Sequence, residues 1–358
     1  MNPKVDQLPE TNPVISDDIL EIVDSQLPWE RFRKQRILVT GGGGFLAAYL
    51  VKALLAANIR FGLMAKVICV ARGESSISRR LKDWVGEPGF EYFRHNVAEP
   101  LPADFPRADY IIHAASQASP KYYGTDPVGT LLPNALGTAC LLDHARKTEA
   151  KRFLFFSSGS VYGQQPTEKA CISESDYGAL DPMNIRSCYG ESKRIGETMC
   201  VSWAHQYGVY TSVVRPFHTY GPGVALDDGR VFADFVADVV AGRDIVMKSD
   251  GGASRAFCYI SDATIAFLTV LLTGGKGEAY NVGNPSAAVS VRELAELIAT
   301  LFPERGIGVQ CGNHSIGNAY LRSPVMRSCP SIEKVKQLSW EPVIGVREGF
   351  RRTLLSFF

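Results

Sequence analysis

The 358-residue sequence has no long apolar run. No stretch approaches the ~20 consecutive apolar residues that a membrane-spanning helix needs, which argues against an integral membrane protein. It also lacks charge of one sign: 38 Lys and Arg stand against 37 Asp and Glu, for a net charge of +1. With no overall field to draw it to nucleic acid or an anionic membrane, any anion it binds must be held by a local site. Clustered cysteine is missing too. Cys69, Cys140, Cys171, Cys188, Cys200, Cys258, Cys311 and Cys329 are scattered singly, without the close pairs of a zinc site or the density of a disulfide scaffold, and no metal site is expected. The N-terminal stretch is polar and acidic, without a signal-peptide pattern, so the expected location is the cytoplasm. Internal repeats and low-complexity tracts are absent. What remains is a 46% hydrophobic chain, able to bury a large core in one big domain or two closely joined ones.

Residues 1–35 carry Pro3, Pro9 and Pro13 and a short helical pattern (Asp17, Ile19, Leu20, Ile22, Val23) that runs toward Trp29 and Phe32. This predicts an arm packed on the main domain. From Arg36 onward, apolar runs of strand length alternate with helical patterns: Ile37 to Val39, Val67 to Val70, Tyr110 to Ile112, Phe153 to Phe156 and Thr211 to Val214. Parallel strands covered on both faces by crossover helices produce this rhythm, so an α/β, doubly wound parallel sheet of Rossmann type is expected over 36–215. The rhythm turns irregular after Arg215-Pro216, with Gly-rich stretches from Gly221 to Gly229 and at Gly251-Gly252. Residues 216–358 are expected to form mainly a smaller α/β substrate-binding region, with some segments returning to the Rossmann domain. Those later segments are expected to close over the first domain rather than extend its sheet.

Ile37-Leu38-Val39 runs straight into Thr40-Gly41-Gly42-Gly43-Gly44-Phe45-Leu46-Ala47 and then into a helical stretch. A tight strand-to-helix turn needs residues without a Cβ, and the open amides of the helix N-terminus attract a pyrophosphate. The strand before and the helix after the glycines make this a dinucleotide site rather than a plain turn. At the end of the second strand Val70 is followed by Ala71-Arg72, with no carboxylate for a ribose 2′-hydroxyl. Arg72, with Ser75, Ser76, Arg79 and Arg80 behind it, is suited to a 2′-phosphate. Arg72 stacked on adenine, with the later arginines a solvated helix face, is the other reading.

Tyr189-Gly190-Glu191-Ser192-Lys193 opens a long helical pattern through Ile195, Met199 and Trp203, and spacing of four places phenol and ammonium on one face. With a solution pKa of about 10, a tyrosine acts as a base near neutrality only beside cations that stabilise its phenolate. The pair follows Ser157-Ser158-Gly159-Ser160-Val161-Tyr162-Gly163, which lies at the end of a buried strand, and Ser158 joins Tyr189 and Lys193 as the third catalytic candidate.

From Arg36 to about Pro342 the sequence resembles the extended short-chain dehydrogenase/reductases that remodel nucleotide sugars, and most closely their UDP-glucuronate decarboxylase and dTDP-glucose 4,6-dehydratase branch. The resemblance is carried by His113-Ala114-Ala115-Ser116, Ala118-Ser119-Pro120, Asn134-Ala135-Leu136-Gly137-Thr138, Arg186-Ser187-Cys188-Tyr189 and Lys193-Arg194 through Glu197-Thr198. It continues in Tyr220-Gly221-Pro222, Asp228-Gly229-Arg230-Val231, Arg255-Ala256-Phe257 and Trp340-Glu341-Pro342. By this resemblance Tyr189 deprotonates a sugar hydroxyl while hydride leaves for a nicotinamide, Lys193 lowers the Tyr189 pKa and binds the nicotinamide ribose, Ser158 hydrogen-bonds the same hydroxyl, and Asn134 braces the strand layer. The cofactor is implied to be NAD, with NADP the alternative that Arg72 suggests. Its implied cradle is Gly41, Gly43, Gly44, Phe45 and Leu46, then Arg72, Asn96 and Val97, then Ala114, Ala115, Ser116 and Pro216 beside Tyr189 and Lys193. A nucleotide-diphosphate sugar is implied as substrate, walled by Ser119, Tyr123, Ser160 and His218, by Arg230, Val231 and Lys248, and by Arg255 with Arg322 or Arg327. Arg255 stands out because Ser254-Arg255-Ala256-Phe257-Cys258-Tyr259 is an apolar, strand-like setting in which an unpaired charge is costly. The relatives also suggest a homodimer formed through the apolar stripes of the helix from Asn134 to Ala145 and the helix after Tyr189.

The sequence departs from these relatives at Gly159 and Ser160, where dehydratases and decarboxylases carry a glutamate, often with an aspartate before it. Neither residue is a carboxylic acid, so elimination across carbons 5 and 6 lacks its usual groups. His218 replaces an asparagine, and Lys248 a base-stacking tyrosine. The expected reaction is therefore reversible hydride transfer at carbon 4, as a 4-epimerase or a 4-keto reductase. The alternatives are a dehydratase or decarboxylase that recruits Glu191, His218 or Glu174, and a non-catalytic dinucleotide-binding scaffold, against which the intact Tyr189 and Lys193 argue.

Overall fold

The computed structural model describes residues 8–166, 169–312 and 326–358. The arm contains helix α1 (Pro13–Val23) and a 3-10 turn at Trp29–Phe32. Strand and helix then alternate through β1 (Arg36–Thr40), α2 (Phe45–Phe61), β2 (Lys66–Ala71), α3 (Glu74–Arg80), β3 (Phe90–Arg94), β4 (Tyr110–His113), α4 (Pro127–Lys147), β5 (Arg152–Phe156), α5 (Ser187–Tyr207) and β6 (Thr211–Pro216). Next come β7 (Thr219–Tyr220), α6 (Val231–Val240), β8 (Ile245–Met247), β9 (Ser254–Ala256), β10 (Cys258–Tyr259), α7 (Ile260–Thr273) and β11 (Glu278–Val282). The chain ends through β12 (Ala288–Ser290), α8 (Val291–Ala299), β13 (Val309–Cys311), β14 (Arg327–Ser328), α9 (Glu333–Lys336) and α10 (Val346–Leu355).

The central sheet has seven parallel strands in the order β3-β2-β1-β4-β5-β6-β11. All five expected strands are in it, and β5 shows why they read as unbroken apolar runs. Phe153 and Phe155 face the core under α4 and α5, while Leu154 and Phe156 face the core under α2 and α7. Two strands differ from expectation. β3 was not anticipated because its residues are half-buried or exposed at the sheet edge and form no apolar run. β11 overturns the expectation that the later segments leave the sheet unextended: Tyr280 pairs with Val214 and Val282 with Pro216. The reason is α7, an almost wholly buried helix that crosses back over the sheet and delivers β11 to an edge that would otherwise stay open.

The later residues also build a small three-stranded sheet, β12-β9-β14, and the pairs β7–β10 and β8–β13. Their core is continuous with that of the large sheet, and in it Tyr220 stacks on Phe350 at 4.0 Å. The arm docks on α2 and α7 through Ile19, Ile22 and Val23. It also brings a buried carboxylate, Asp18, whose Oδ2 accepts from Tyr49 Oη at 3.0 Å and Tyr259 Oη at 2.8 Å. The strand order reverses between β1 and β4, so a crevice opens beyond their C-terminal ends, where folds of this class hold their ligands.

Candidate active site

The glycine turn joins β1 to α2 at that crevice. Gly41 has φ of +67°, and a Cβ there would lie 2.7 Å from Ala115 Cα, so only glycine lets the loop after β4 approach. A Cβ at Gly42 would overlap Cys69 Sγ, and one at Gly44 would come within 2.9 Å of the Gly41 carbonyl. Gly44 caps α2 without a side chain, leaving the helix amides near Phe45 and Leu46 open toward the crevice. Buried His113 braces the other wall: Nδ1 pairs with Thr40 Oγ1 at 2.8 Å and Nε2 with the Pro133 carbonyl at 3.1 Å. Burial, then the charge of Lys193, pushes its pKa down to about 3, so the imidazole is a neutral strut. Beside it Ala114 and Ala115 line the turn, and Ser116 Oγ is buried with no hydrogen-bond partner among the described residues. A narrow cradle of open amides with an orphaned buried hydroxyl fits a dinucleotide.

Around the far end, Arg72 is exposed just beyond β2, and its charge reaches Asp126. The Gln117 amide, then the Gly129 N–H, hold the Asp126 carboxyl below the usual carboxylate range, and Arg72 adds to this. Arg80 departs from both readings, as neither a 2′-phosphate ligand nor part of a solvated helix face. It turns inward, with Nε donating to the Gly223 carbonyl at 3.0 Å and Nη1 to the Gly43 carbonyl at 3.1 Å, so it ties the dinucleotide turn to the Gly-rich loop after β7. The side chain of Ser76 lies outside the described residues. Asn96 shapes the turn after β3, accepting from the Ala98 amide at 3.2 Å, and Val97 is buried with its carbonyl against Gly137. Pro216 ends β6 in register with Val282.

Tyr189 and Lys193 both lie on the buried face of α5, 7% and 2% exposed. Lys193 Nζ donates to the Phe156 carbonyl at 2.6 Å and lies 5.7 Å from the Tyr189 ring centroid. Burial drives the Lys193 pKa down to about 7, against the pull of Glu197. Burial raises that of Tyr189, while a hydrogen bond from Ser158 and the charge of Arg230 pull it back. Tyr123 stacks on Tyr189 with centroids 5.2 Å apart and 16° between planes, fixing the phenol's orientation. Ser158, at the end of β5, also accepts from the Ser160 amide at 3.1 Å, and its Oγ lies 3.3 Å from Ser160 Oγ. This brings the three catalytic candidates together as a hydroxyl, a phenol and an ammonium suited to moving one proton to and from a substrate oxygen.

On the facing side Arg230 pairs with Asp228 through both Nε and Nη2, and the Asp228 carbonyl accepts from Ser119 Oγ. His218 lies beside them with φ of +32°, its ring 5.9 Å from that of Phe257. Burial, then the charges of Arg255 and Arg230, depress its pKa to about 3, so it is a neutral hydrogen-bonding group. Arg255, on β9, donates to the carbonyls of Ser254 at 2.8 Å and Met326 at 3.2 Å. Val231 begins α6 directly after Arg230. Lys248 is exposed and pairs with Asp234 at 2.7 Å, and Arg327 is exposed on β14, in register with Ser254, the residue before Arg255. Arg322 lies outside the described residues.

The reading of Asn134 needs correction: Nδ2 donates to Ser192 Oγ at 3.0 Å, so it braces α4 to α5 rather than the strand layer. Among the substitute acids, Glu191 pairs with Arg194, because residues two apart on a helix do not share a face with Tyr189, and Glu174 accepts the Asn281 amide at 2.8 Å. His218 alone of the three belongs to the cluster. Sequence reasoning missed Phe217, whose ring fills the space beside Gly159; the bare glycine where relatives carry an acid was its only signal. It gave no role to Glu197, which binds Arg215 through both oxygens and accepts from Ser157 Oγ behind the catalytic turn.

Residues 37–283 match the model of the NAD dependent epimerase/dehydratase family. The chain is 36% identical over 315 residues to UDP-glucuronic acid decarboxylase 6 of Arabidopsis thaliana, covering 88% of this chain and 86% of that protein. It is 34% identical to UDP-glucuronic acid decarboxylase 1 of Xenopus tropicalis, over 90% of this chain and 72% of that one. The fold matches that of a UDP-glucuronic acid 4-epimerase from Bacillus cereus, solved with UDP-glucuronic acid and NAD, with a TM-score of 0.75, 20% identity and coverage of 90% and 98%. A glycine cradle open at a helix N-terminus, the Ser158, Tyr189 and Lys193 cluster at its mouth and a family match across the whole central sheet lead to one assignment: this chain is an NAD-dependent enzyme of the epimerase/dehydratase family, an extended short-chain dehydrogenase/reductase of the nucleotide-sugar group.

Proposed function

We propose that this enzyme decarboxylates a UDP-linked hexuronic acid by way of a ketone at carbon 4, releasing carbon dioxide and a UDP-pentose. The observation that carries the reading is the similarity to UDP-glucuronic acid decarboxylases over most of their length, with Ser158 and Tyr189 side by side at the catalytic turn, although the carboxylate such relatives carry at 159 or 160 is missing here. Elimination of water from carbons 5 and 6 needs a base for the carbon-5 proton and an acid for the leaving oxygen. Loss of carbon dioxide needs neither. A ketone at carbon 4 makes the carbon-6 carboxylate a β-keto acid, and the electrons of the breaking C5–C6 bond pass onto oxygen 4.

In this scheme Tyr189 accepts the proton of the carbon-4 hydroxyl and later returns it to oxygen 4. NAD, when bound, supplies acceptance and return of hydride at carbon 4. Ser158 holds oxygen 4 during both steps and donates to the enolate oxygen after carbon dioxide departs, while Lys193 offsets the phenolate charge. The enolate returns to the ketone by taking one proton from solvent water at carbon 5 before hydride comes back to carbon 4. In this reading Arg230 and Arg255 take the diphosphate, and neutral His218 donates to or accepts from a sugar hydroxyl. A 4-epimerase remains the second reading, because the bare turn at 159 and 160 suffices for hydride transfer alone. Incubation with UDP-glucuronate labelled with 13C at carbon 6 separates them. Labelled carbon dioxide and a UDP-pentose are expected; a labelled carbon-4 epimer that keeps its carboxylate supports epimerisation, and recovery of unchanged substrate overturns both.

The enzyme acts in this reading as a cytoplasmic homodimer. α4 and α5 pack side by side and together expose Val128, Leu131, Leu136, Ile195, Val201 and Tyr207, an apolar surface suited to a two-fold four-helix bundle.

A further inference from the structure

Cys171 and Cys329, 158 residues apart in sequence, face each other with their sulfurs 3.3 Å apart. The backbone holds them in place. The Ile172 amide donates to the Cys329 carbonyl at 2.8 Å, the Ser331 amide donates to the Ile172 carbonyl at 2.7 Å, and Ile172 and Pro330 form a parallel bridge. Asn281 Nδ2 closes the junction, donating to the carbonyls of Ile172 at 2.9 Å and Ser331 at 3.0 Å. A bonded pair of sulfurs is about 2 Å apart, so closing the gap asks for a movement of about 1 Å.

We propose that Cys171 and Cys329 form a reversible disulfide with a peroxide or a low-molecular-weight disulfide as oxidant, and that this bond pins the β14 strand to the segment behind the catalytic turn. Each segment leads to one side of the site. Asn281 Oδ1 accepts from Tyr162 Oη at 2.6 Å, and Tyr162 ends the turn that begins at Ser158. On the other side β14 pairs with β9, and the carbonyl of Met326, just before β14, accepts from Arg255. The effect on ligand binding rests on the proposed role of Arg255 at a diphosphate.

Cys329 is 5% exposed, whereas Cys171 is partly open to solvent. Burial, then the neighbouring Cys171 sulfur, raises the Cys329 pKa, so Cys171 reacts first. Its thiolate attacks a peroxide oxygen, the O–O bond breaks, and a sulfenic acid and one water form. The Cys329 sulfur then displaces that oxygen as a second water, and the S–S bond forms. In balance two thiols lose two electrons and two protons, and the peroxide is reduced to two waters.

The reduced holoenzyme would be treated with hydrogen peroxide or glutathione disulfide, alkylated and peptide-mapped without reductant. A linked pair of peptides containing Cys171 and Cys329, two hydrogens lighter than their sum and released by dithiothreitol, is expected. It should be absent from Cys171→Ser and from Cys329→Ser. Because the bond closes a long loop, Tm should rise by several degrees in the native sequence alone. A pre-ordered β14 should tighten UDP binding by about threefold in titration calorimetry. Recovery of both cysteines as alkylated thiols, or of Cys171 joined only to glutathione, would overturn the pairing. Formation of the bond with unchanged UDP affinity would overturn its link to the site. Failure of reduced and oxidised enzyme alike to bind UDP would overturn the nucleotide reading and with it that link, while leaving the mapping result intact.

Discussion

The Phe217 ring occupies the space that a side chain at Gly159 would need: a Cβ there would lie 3.0 Å from Cε1 and 3.1 Å from Cδ1 and Cζ. The absent acid at 159 is thus matched by an aromatic ring built into its place. Gly159→Asp should destabilise the fold by about 1–3 kcal/mol, the usual cost of overpacking. Thermal melts should show that loss, and Gly159→Asp combined with Phe217→Leu should recover part of it. Ser160 is exposed, so Ser160→Glu should leave the melting temperature nearly unchanged.

Tyr189→Phe should remove at least about 10²-fold of kcat on UDP-glucuronate while NAD binding and the melting temperature stay near those of the parent, since only the ionisable oxygen is lost. Lys193→Ala should weaken NAD binding and move the alkaline-rising limb of the pH–rate profile to higher pH, because the phenolate loses its nearest ammonium. An unmoved profile would remove Lys193 from that role.

Arg80 donates to carbonyls on both sides of the crevice, Gly43 and Gly223. Arg80→Ala should loosen the dinucleotide turn and raise the NAD dissociation constant about tenfold, in line with hydrogen bonds from a charged group worth about 1.5–3 kcal/mol. Calorimetric titration of cofactor into the variant would check this, and an unchanged constant would make the contact incidental.

The arm should hold more firmly in acid. Burial raises the Asp18 pKa from 3.8 to about 7, against hydrogen bonds from Tyr259 and Tyr49 and the charge of Arg352, which is shared with Glu21 and Glu348. The folded chain therefore binds this proton more tightly than the unfolded chain does. The stability from Asp18 is fully present below the unfolded value and is lost as pH rises toward about 7. In urea melts at about pH 5 and about pH 8, Asp18→Asn should gain on the parent as pH rises, because it has no charge to bury. Equal differences at both pH values would contradict the assignment.

Placing a charge on the proposed two-fold surface should give monomers. Leu136 and Val201 are exposed on α4 and α5, so Leu136→Glu with Val201→Glu should change little in the isolated subunit but break an apolar interface. Light scattering at micromolar concentration should report a dimer for the parent and a monomer for the double variant.

The local patterns were legible in the sequence because local geometry dictates them. Four glycines between an apolar run and a helical stretch leave few outcomes other than a tight turn with open amides, and spacing of four on a helix sets Tyr189 over Lys193 whatever surrounds them. Five of the seven sheet strands were visible for a similar reason, since strands covered on both faces are apolar throughout. Tertiary structure alone decided the rest: β11 at the sheet edge, Arg80 between Gly43 and Gly223, Phe217 against Gly159, and Cys171 beside Cys329. Each joins segments far apart in the chain, and their meeting depends on how helices and loops pack over the sheet, for which spacing along the sequence carries no signal.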